Sequence, residues 1–236
     1  SRGELPGANR EAIREACAAG LEVVLVTGRS FHHALPVARA LSEDLVLVVS
    51  NGALVKRRDG TTIDRRLLAR ELAADVLRGA KPIRKGAALI FDRSDSRQYV
   101  YEQIDWQHPT RRQYYERNRR FMTEMSPIED ALTEDPAQVA FTGCVVDMRR
   151  LAHHLCRAPV ASRVSLTLTE YDARDFSLLD VTVGGCSKGA ALAAWAGRRG
   201  IRPADVMAVG DNLNDREMLE FAGHPVVMGN AVPALK

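Results

Sequence analysis

Asp205-Val-Met-Ala-Val-Gly-Asp-Asn-Leu-Asn-Asp215 decides the fold, because a short apolar run feeds directly into a glycine turn crowded with carboxylate and amide side chains. A parallel strand covered on both faces reads as a continuous apolar run. Open α/β sheets bind ligands just beyond the carboxyl ends of their strands. The stretch is therefore expected to be a buried strand with Asp211 and Asp215 at its carboxyl end. Their oxygens, with those of Asn212 and Asn214, are hard ligands suited to Mg²⁺. Asp and Asn also cap helices, so taken alone the stretch leaves capping and metal binding about equally open.

Two further segments bear on that choice. Leu21-Glu-Val-Val-Leu-Val-Thr-Gly-Arg-Ser30 repeats the plan, an apolar strand ending in a small polar turn before a segment, Phe31 to Leu41, with helical potential. The Thr27 hydroxyl, the permissive backbone at Gly28 and the amides that follow suit an anion at a helix N-terminus, although Thr27 alone reads as an ordinary turn residue. In Ser187-Lys-Gly-Ala-Ala-Leu192, Lys188 opens a helix expected to reach Arg199. A cation there opposes the helix dipole, so it is either solvated or used against a bound phosphate.

In chain order, Thr27-Gly-Arg, Lys188-Gly and Gly210-Asp-x-x-Asn-Asp215 resemble motifs of the haloacid dehalogenase-like phosphatases, and of their Cof-type branch most closely. Ser50-Asn-Gly-Ala53, Glu217-Met-Leu219 and Val227-Met-Gly-Asn-Ala231 extend the likeness, which covers roughly residues 5–55 and 180–231. The resemblance implies a doubly wound, mostly parallel α/β core of the Rossmann type carrying an inserted α+β cap. It implies a Mg²⁺-dependent phosphoric monoester hydrolase acting on a small phosphorylated metabolite, such as a sugar phosphate or flavin-type phosphate, through an aspartyl-phosphate. By the same resemblance Thr27, Lys188 and Asp211 are catalytic. Thr27, Gly28, Arg29, Asn51, Gly52, Lys188 and Asn214 touch the substrate, and Asp211, Asn212 and Asp215 hold the metal, Asp215 either directly or by way of Lys188 or a bound water. The family's Asp-x-Asp-Gly-Thr strand has no match in residues 1–236. Ser1 to Pro6 looks like the linker that follows such a strand, so the nucleophile is expected just upstream of Ser1, and the chain as given is expected to be inactive. The rival expectation is an inactive phosphate-binding or regulatory module with the same fold, and a phosphomutase or sugar-phosphate phosphatase of a neighbouring branch is a third.

The pattern along the chain agrees with an interrupted core. A helix is expected over Asn9 to Ala19 with Gly20 as its stop, then strands at Leu21 to Val26 and Leu45 to Val49. Asp59-Gly60 marks a hairpin between Ala53 to Arg57 and Thr61 to Arg66. Helices are expected at Leu68 to Arg78, Thr110 to Phe121 and Met148 to Arg157. Strands are expected at Ala87 to Phe91, Gln98 to Asp105, Gln138 to Cys144, Arg163 to Thr169 and Phe176 to Val183. The expected domains are a discontinuous core, 1–53 with 184–236, and a cap, 54–183.

Composition is that of an ordinary globular chain: 236 residues, 46% hydrophobic, 27% charged, net charge +3. The charge is too small and dispersed for nucleic acid. No apolar run is long enough to span a bilayer, and the four scattered cysteines show no Cys-x-x-Cys pair, which suits reduced thiols and a cytoplasmic monomer or homodimer. The pairs His32-His33 and His153-His154 lack helical metal-ligand spacing and are expected at the surface. Trp106, Tyr114, Tyr115 and Phe121 are expected in a cap core, and the basic segment Arg111 to Arg120 as a solvated helix face.

Overall fold

The structure, a computed structural model, describes residues 5–42 and 44–236; most of the linker read at Ser1 to Pro6 falls outside these. The chain forms α1 (Gly7–Ala18), β1 (Val24–Val26), α2 (Phe31–Arg39), β2 (Val46–Val49), β3 (Leu54–Arg57) and β4 (Thr62–Arg65). It continues with α3 (Arg70–Ala80), β5 (Ala87–Ile90), β6 (Tyr99–Glu102), α4 (Pro109–Asn118), β7 (Met122–Glu124), β8 (Gln138–Gly143), α5 (Val145–Leu155), β9 (Val164–Tyr171) and β10 (Phe176–Val183). The last elements are α6 (Lys188–Arg199), β11 (Met207–Gly210), α7 (Arg216–Phe221) and β12 (His224–Val227). Among the described residues three sheets result, in the orders β1-β2-β3-β4, β7-β6-β5-β8-β10-β9 and β11-β12.

The helix connection β1–α2–β2 yields a parallel pair, as a crossover requires. The hairpin β3–β4 then adds to β2 antiparallel, Val48 opposite Val55. It extends the sheet of β1 and β2, because an edge strand such as β2 leaves a row of backbone groups for the next segment to pair. The change of sheet comes after Arg65, where Leu68 N–H donates to the Pro136 carbonyl and Ala137 N–H to that of Ile90.

The second sheet is antiparallel apart from the β6–β7 pair. Strict alternation gives it two unlike faces. Leu89, Val139, Phe141, Leu179 and Val181 point to one side and meet Leu72, Val76 and Leu77 of α3 and Leu151 and Leu155 of α5, all nearly inaccessible to solvent. Each such side chain contributes about 1.5–3 kcal/mol of burial. The opposite face carries Tyr99, Tyr101, Gln138, Thr142 and Asp180, in register across β6, β8 and β10.

One expectation for the opening stretch fails. Among the described residues β11 pairs only with β12. Its Ala208 is buried against α6 and α7 beside Leu192, Met218 and Leu219, while Met207 and Val209 are 67% and 51% exposed. Among the described residues the run is covered on one face, not two. Among the described residues no helix is long and apolar enough to cross a membrane.

Candidate phosphate site

Gly210 ends β11, and the chain turns through Asp211 and Asn212 into a short helical turn, Leu213–Asp215, that leads into α7. A Cβ at Gly210 would lie 2.6 Å from that of Asp215, so this turn needs glycine. Asn212 Oδ1 accepts from Leu213 N–H at 2.7 Å, and Asp215 Oδ2 accepts from the N–H groups of Asp211 and Asn212 at 3.0 and 3.1 Å. The other Asp215 oxygen takes Lys188 Nζ at 2.7 Å. Both partners of this ion pair are buried, 5% and 8% exposed.

α6 reaches the pair because it is clamped at its start. Ser187 Oγ accepts from Ala190 N–H at 3.0 Å, a helix cap, and donates to Glu217 of α7. A Cβ on Gly189 would stand 2.5 Å from that of Glu217, so the two helices approach within backbone contact. Lys188 is therefore held at the helix start by Asp215 beneath it and is not solvated.

On the other side, Thr27 N–H donates to Val48 and Thr27 O accepts from Asn51 N–H at 3.3 Å, tying the turn after β1 to the turn after β2. Thr27 Oγ1 accepts from Arg29 N–H at 3.2 Å. Ser50, Asn51 and Gly52 all take positive φ (51°, 54° and 100°). Such backbone is costly for residues with a Cβ and persists only where its surroundings hold it. Here Asn51 Nδ2 donates to Asp180 Oδ2 at 2.8 Å, Cys186 Sγ lies 3.8 Å from Asn51 O, and the Gly52 Cα packs on the Ser187 carbonyl. A continuous line of contacts thus runs from Thr27 through Asn51 and Gly52 to Ser187, Lys188, Asp215 and the Asp211 loop.

Of the residues expected to bind metal, Asp215 has both oxygens committed to Lys188 and to backbone N–H groups, and Asn212 Oδ1 is committed to Leu213. Asp211 is exposed, and its carboxylate makes no hydrogen bond within the described chain. Among the described residues no group of three or more His, Cys, Asp or Glu side chains is placed to hold a metal. One free carboxylate beside a buried cation fits Mg²⁺, which keeps several waters and binds through one or two carboxylates and substrate phosphate. Gly28 packs against the Asn51 amide, Arg29 is exposed and Asn214 half-buried.

The sequence reading missed Asp180 and Gln138. A carboxylate in the apolar strand Phe176–Val183 was the available signal. Burial pushes the Asp180 carboxyl up to about 7, against the hydrogen bond from Asn51 and the nearby charge of Lys188. The folded state therefore keeps a proton there up to about pH 7, whereas the unfolded chain releases it near 3.8. Stability from this group is full below the lower value and is lost as pH rises through the upper one. Asp180→Asn is expected to flatten that loss, read as urea midpoints at pH 5 and pH 8; parallel wild-type and variant curves would show that the group does not titrate in this window.

His32 and His33 also depart from expectation. They lie between α2 and α4, His32 stacked on Phe121 at 3.8 Å and His33 edge-on to Tyr114 at 4.6 Å. Burial, aided by Arg29 and Arg117, pushes His33 down to about 3. His153 and His154 are exposed, as expected. The adjacent-pair spacing could not distinguish these cases, because only tertiary contact does. Trp106, Tyr114 and Tyr115 pack on the apolar cluster of Ile90, Tyr101 and Met122.

A profile of the haloacid dehalogenase-like hydrolases matches residues 1–236. HMP-PP phosphatase of Serratia proteamaculans is 28% identical over 91% of this chain and 73% of its own length. That of Cronobacter sakazakii is 28% identical over 98% of this chain and 80% of its own. Among solved structures, a haloacid dehalogenase-like hydrolase from B. subtilis superposes with TM-score 0.81 at 21% identity, covering 99% of this chain and 86% of that one. A HAD subclass IIB sugar phosphatase gives TM-score 0.76 at 19% identity, covering 98% and 83%. The chain belongs to the haloacid dehalogenase-like hydrolases.

Proposed function

We propose that the protein is a Mg²⁺-dependent phosphatase of small phosphorylated metabolites. The observation that supports it most is the buried Lys188–Asp215 pair set beside the free Asp211 carboxylate. A buried ammonium already satisfied by one carboxylate oxygen keeps further N–H donors for phosphate oxygens. Thr27 adds a hydroxyl, and the amides after it lie near the start of α2, where anions are favoured.

Phosphoryl transfer depends mostly on positioning and charge neutralisation. Mg²⁺, when bound, supplies charge neutralisation between an anionic nucleophile and an anionic phosphate. Asp211 would hold it, with water and substrate phosphate completing the shell. Lys188 balances charge on the equatorial oxygens, Asp215 fixes its direction, and Thr27 donates to a third oxygen. In this scheme an aspartate carboxylate attacks phosphorus while the bond to the leaving oxygen breaks, and that oxygen takes a proton from a general acid. Water then attacks phosphorus of the aspartyl-phosphate, releasing phosphate and restoring the carboxylate. Residues 1–236 do not supply this aspartate in the Asp-x-Asp-Gly-Thr form.

The proposed functional division follows the change of sheet. The first and third sheets with α2, α6 and α7 form the catalytic core, and the second sheet with α3, α4 and α5 forms a cap that selects the leaving group. The relatives named HMP-PP phosphatase and the neighbour named a sugar phosphatase guide the substrate panel. A cytoplasmic monomer or homodimer is proposed with it.

The test is release of inorganic phosphate by the full-length encoded protein from such a panel, with Mg²⁺ and with chelator. Turnover abolished by chelator is expected. Asp211→Asn is expected to lower kcat by roughly 10-fold or more, in the range of a lost electrostatic partner, and to raise the Mg²⁺ concentration needed. Turnover of Asp211→Asn equal to the wild type at all Mg²⁺ concentrations would remove Asp211 from the site.

A further inference from the structure

Two serines stand at the starts of helices that frame the candidate site, and they behave differently. Ser187 caps α6, accepting from Ala190 N–H at 3.0 Å. Ser30 holds the same position before α2, with extended backbone (φ −65°, ψ 160°), yet its side chain makes no capping bond. Serine is favoured there because its hydroxyl can take one of the unpaired N–H groups of the first turn. Ser30 is only 7% exposed, so competition from solvent does not explain the missing cap.

The Ser30 hydroxyl instead hydrogen-bonds to that of Tyr114 in α4. Two ring contacts hold α4 against α2 for this: Tyr114 stands edge-on to His33 at 4.6 Å, and Phe121, just beyond α4, stacks on His32 at 3.8 Å. Burial pushes the Tyr114 phenol up to about 12, so it stays protonated at neutral pH. α2 itself is fixed on its own sheet through Phe31, Ala34, Leu35 and Ala38, with or without a cap. In its first turn, His33 and Ala34 N–H donate to the Ser30 carbonyl at 3.1 and 3.0 Å, while Phe31 and His32 N–H have no backbone partner among the described residues. Such N–H groups at a helix start favour an anion. A capping hydroxyl would take one of them.

We propose that Tyr114 is a positioning residue: by drawing the Ser30 hydroxyl off the cap position it keeps the His32 N–H free for a phosphate oxygen, so that docking of α4 on α2 completes the phosphate turn. This rests on the phosphatase reading above, and it adds a residue from outside the first and third sheets that acts on phosphate without touching it.

The test follows turnover of p-nitrophenyl phosphate by the full-length protein with Mg²⁺, and its inhibition by inorganic phosphate. Tyr114→Phe keeps the ring on His33 and removes one oxygen, which releases Ser30 to cap α2. The inhibition constant of phosphate and the KM are expected to rise about 10-fold, the loss of one hydrogen bond to a charged group. The kcat is expected to change less than about twofold, because the bond is lost from ground state and transition state alike. Adding Ser30→Ala removes the competing cap, and the double variant is expected to return to within about threefold of the wild type. Melting temperatures report folding, and Tyr114→Leu, which also lacks the hydroxyl, replaces Tyr114→Phe if that variant does not fold. A double variant as weak as Tyr114→Phe would mean that Tyr114 only packs on α2, and a Tyr114→Phe variant equal to the wild type would mean that Ser30 does not compete with phosphate. Either result overturns the inference while wild-type turnover upholds the phosphatase reading. A wild type that releases no phosphate overturns both.

Discussion

Lys188→Ala is expected to abolish most turnover and to destabilise the fold at once. The ammonium is buried and bonded at 2.7 Å to a carboxylate that is itself buried. Removing one member of such a pair leaves an uncompensated charge, which costs about 3–5 kcal/mol. The lost charge stabilisation of a developing phosphoryl transition state is worth on the order of 10²–10³ in kcat. The two effects separate in a double variant. Lys188→Ala with Asp215→Asn removes both charges, and the carboxamide oxygen so introduced can still accept from the Asp211 and Asn212 N–H groups that now donate to Asp215. Urea midpoints should therefore recover by at least half in the double variant while phosphate release stays lost. Recovery of turnover along with stability would show that Lys188 serves only to neutralise Asp215.

The placement of the candidate residues was legible where the pattern is local to a turn. Gly210, Asp211, Thr27 and Lys188 each stand at the end of an apolar run or the start of a helix, and that pattern is readable one segment at a time. The strand–helix–strand unit β1–α2–β2, the hairpin at Asp59-Gly60 and most elements of the second sheet followed from the same local signals. Four things did not. The role of Asp215 depends on which of two partners arrives, a metal or Lys188, and its i, i+4 spacing to Asp211 suits either. The attachment of the hairpin to β2 depends on which edge is free, a property of the sheet and not of the hairpin. Asp180 gives a single charged residue inside an apolar strand, and only the register with β8 and the turn at Asn51 show that two carboxamides converge on it. β7, three residues long and parallel to β6, is too short to carry an alternating signal.

Gly52→Ala is expected to lower stability by roughly 2–6 kcal/mol, the sum of backbone strain of about 1–3 and overpacking of about 1–3 kcal/mol. Its φ of 100° is one that side-chain-bearing residues resist, and an added Cβ would stand 2.3 Å from the Ser187 carbonyl oxygen and 3.1 Å from the Ala191 Cβ. The obstacle at Ser187 is backbone at the cap of α6, so no rotamer relieves it. The turn after β2 and the start of α6 must separate, which carries Lys188 away from Asn51 and the Thr27 turn. Gly200→Ala supplies the control on the same helix. Gly200 also has positive φ, 69°, but no atom within 4 Å of its would-be Cβ, so it tests strain without collision and is expected to cost only about 1–2 kcal/mol. At about 2–4 °C per kcal/mol for a chain of this size, the two variants should melt several degrees apart, with Gly52→Ala the lower and the one that also loses turnover. Equal melting temperatures would mean that the turn and the helix do not touch as closely as the structure places them, and the contact that joins the two halves of the proposed phosphate site would have to be redrawn.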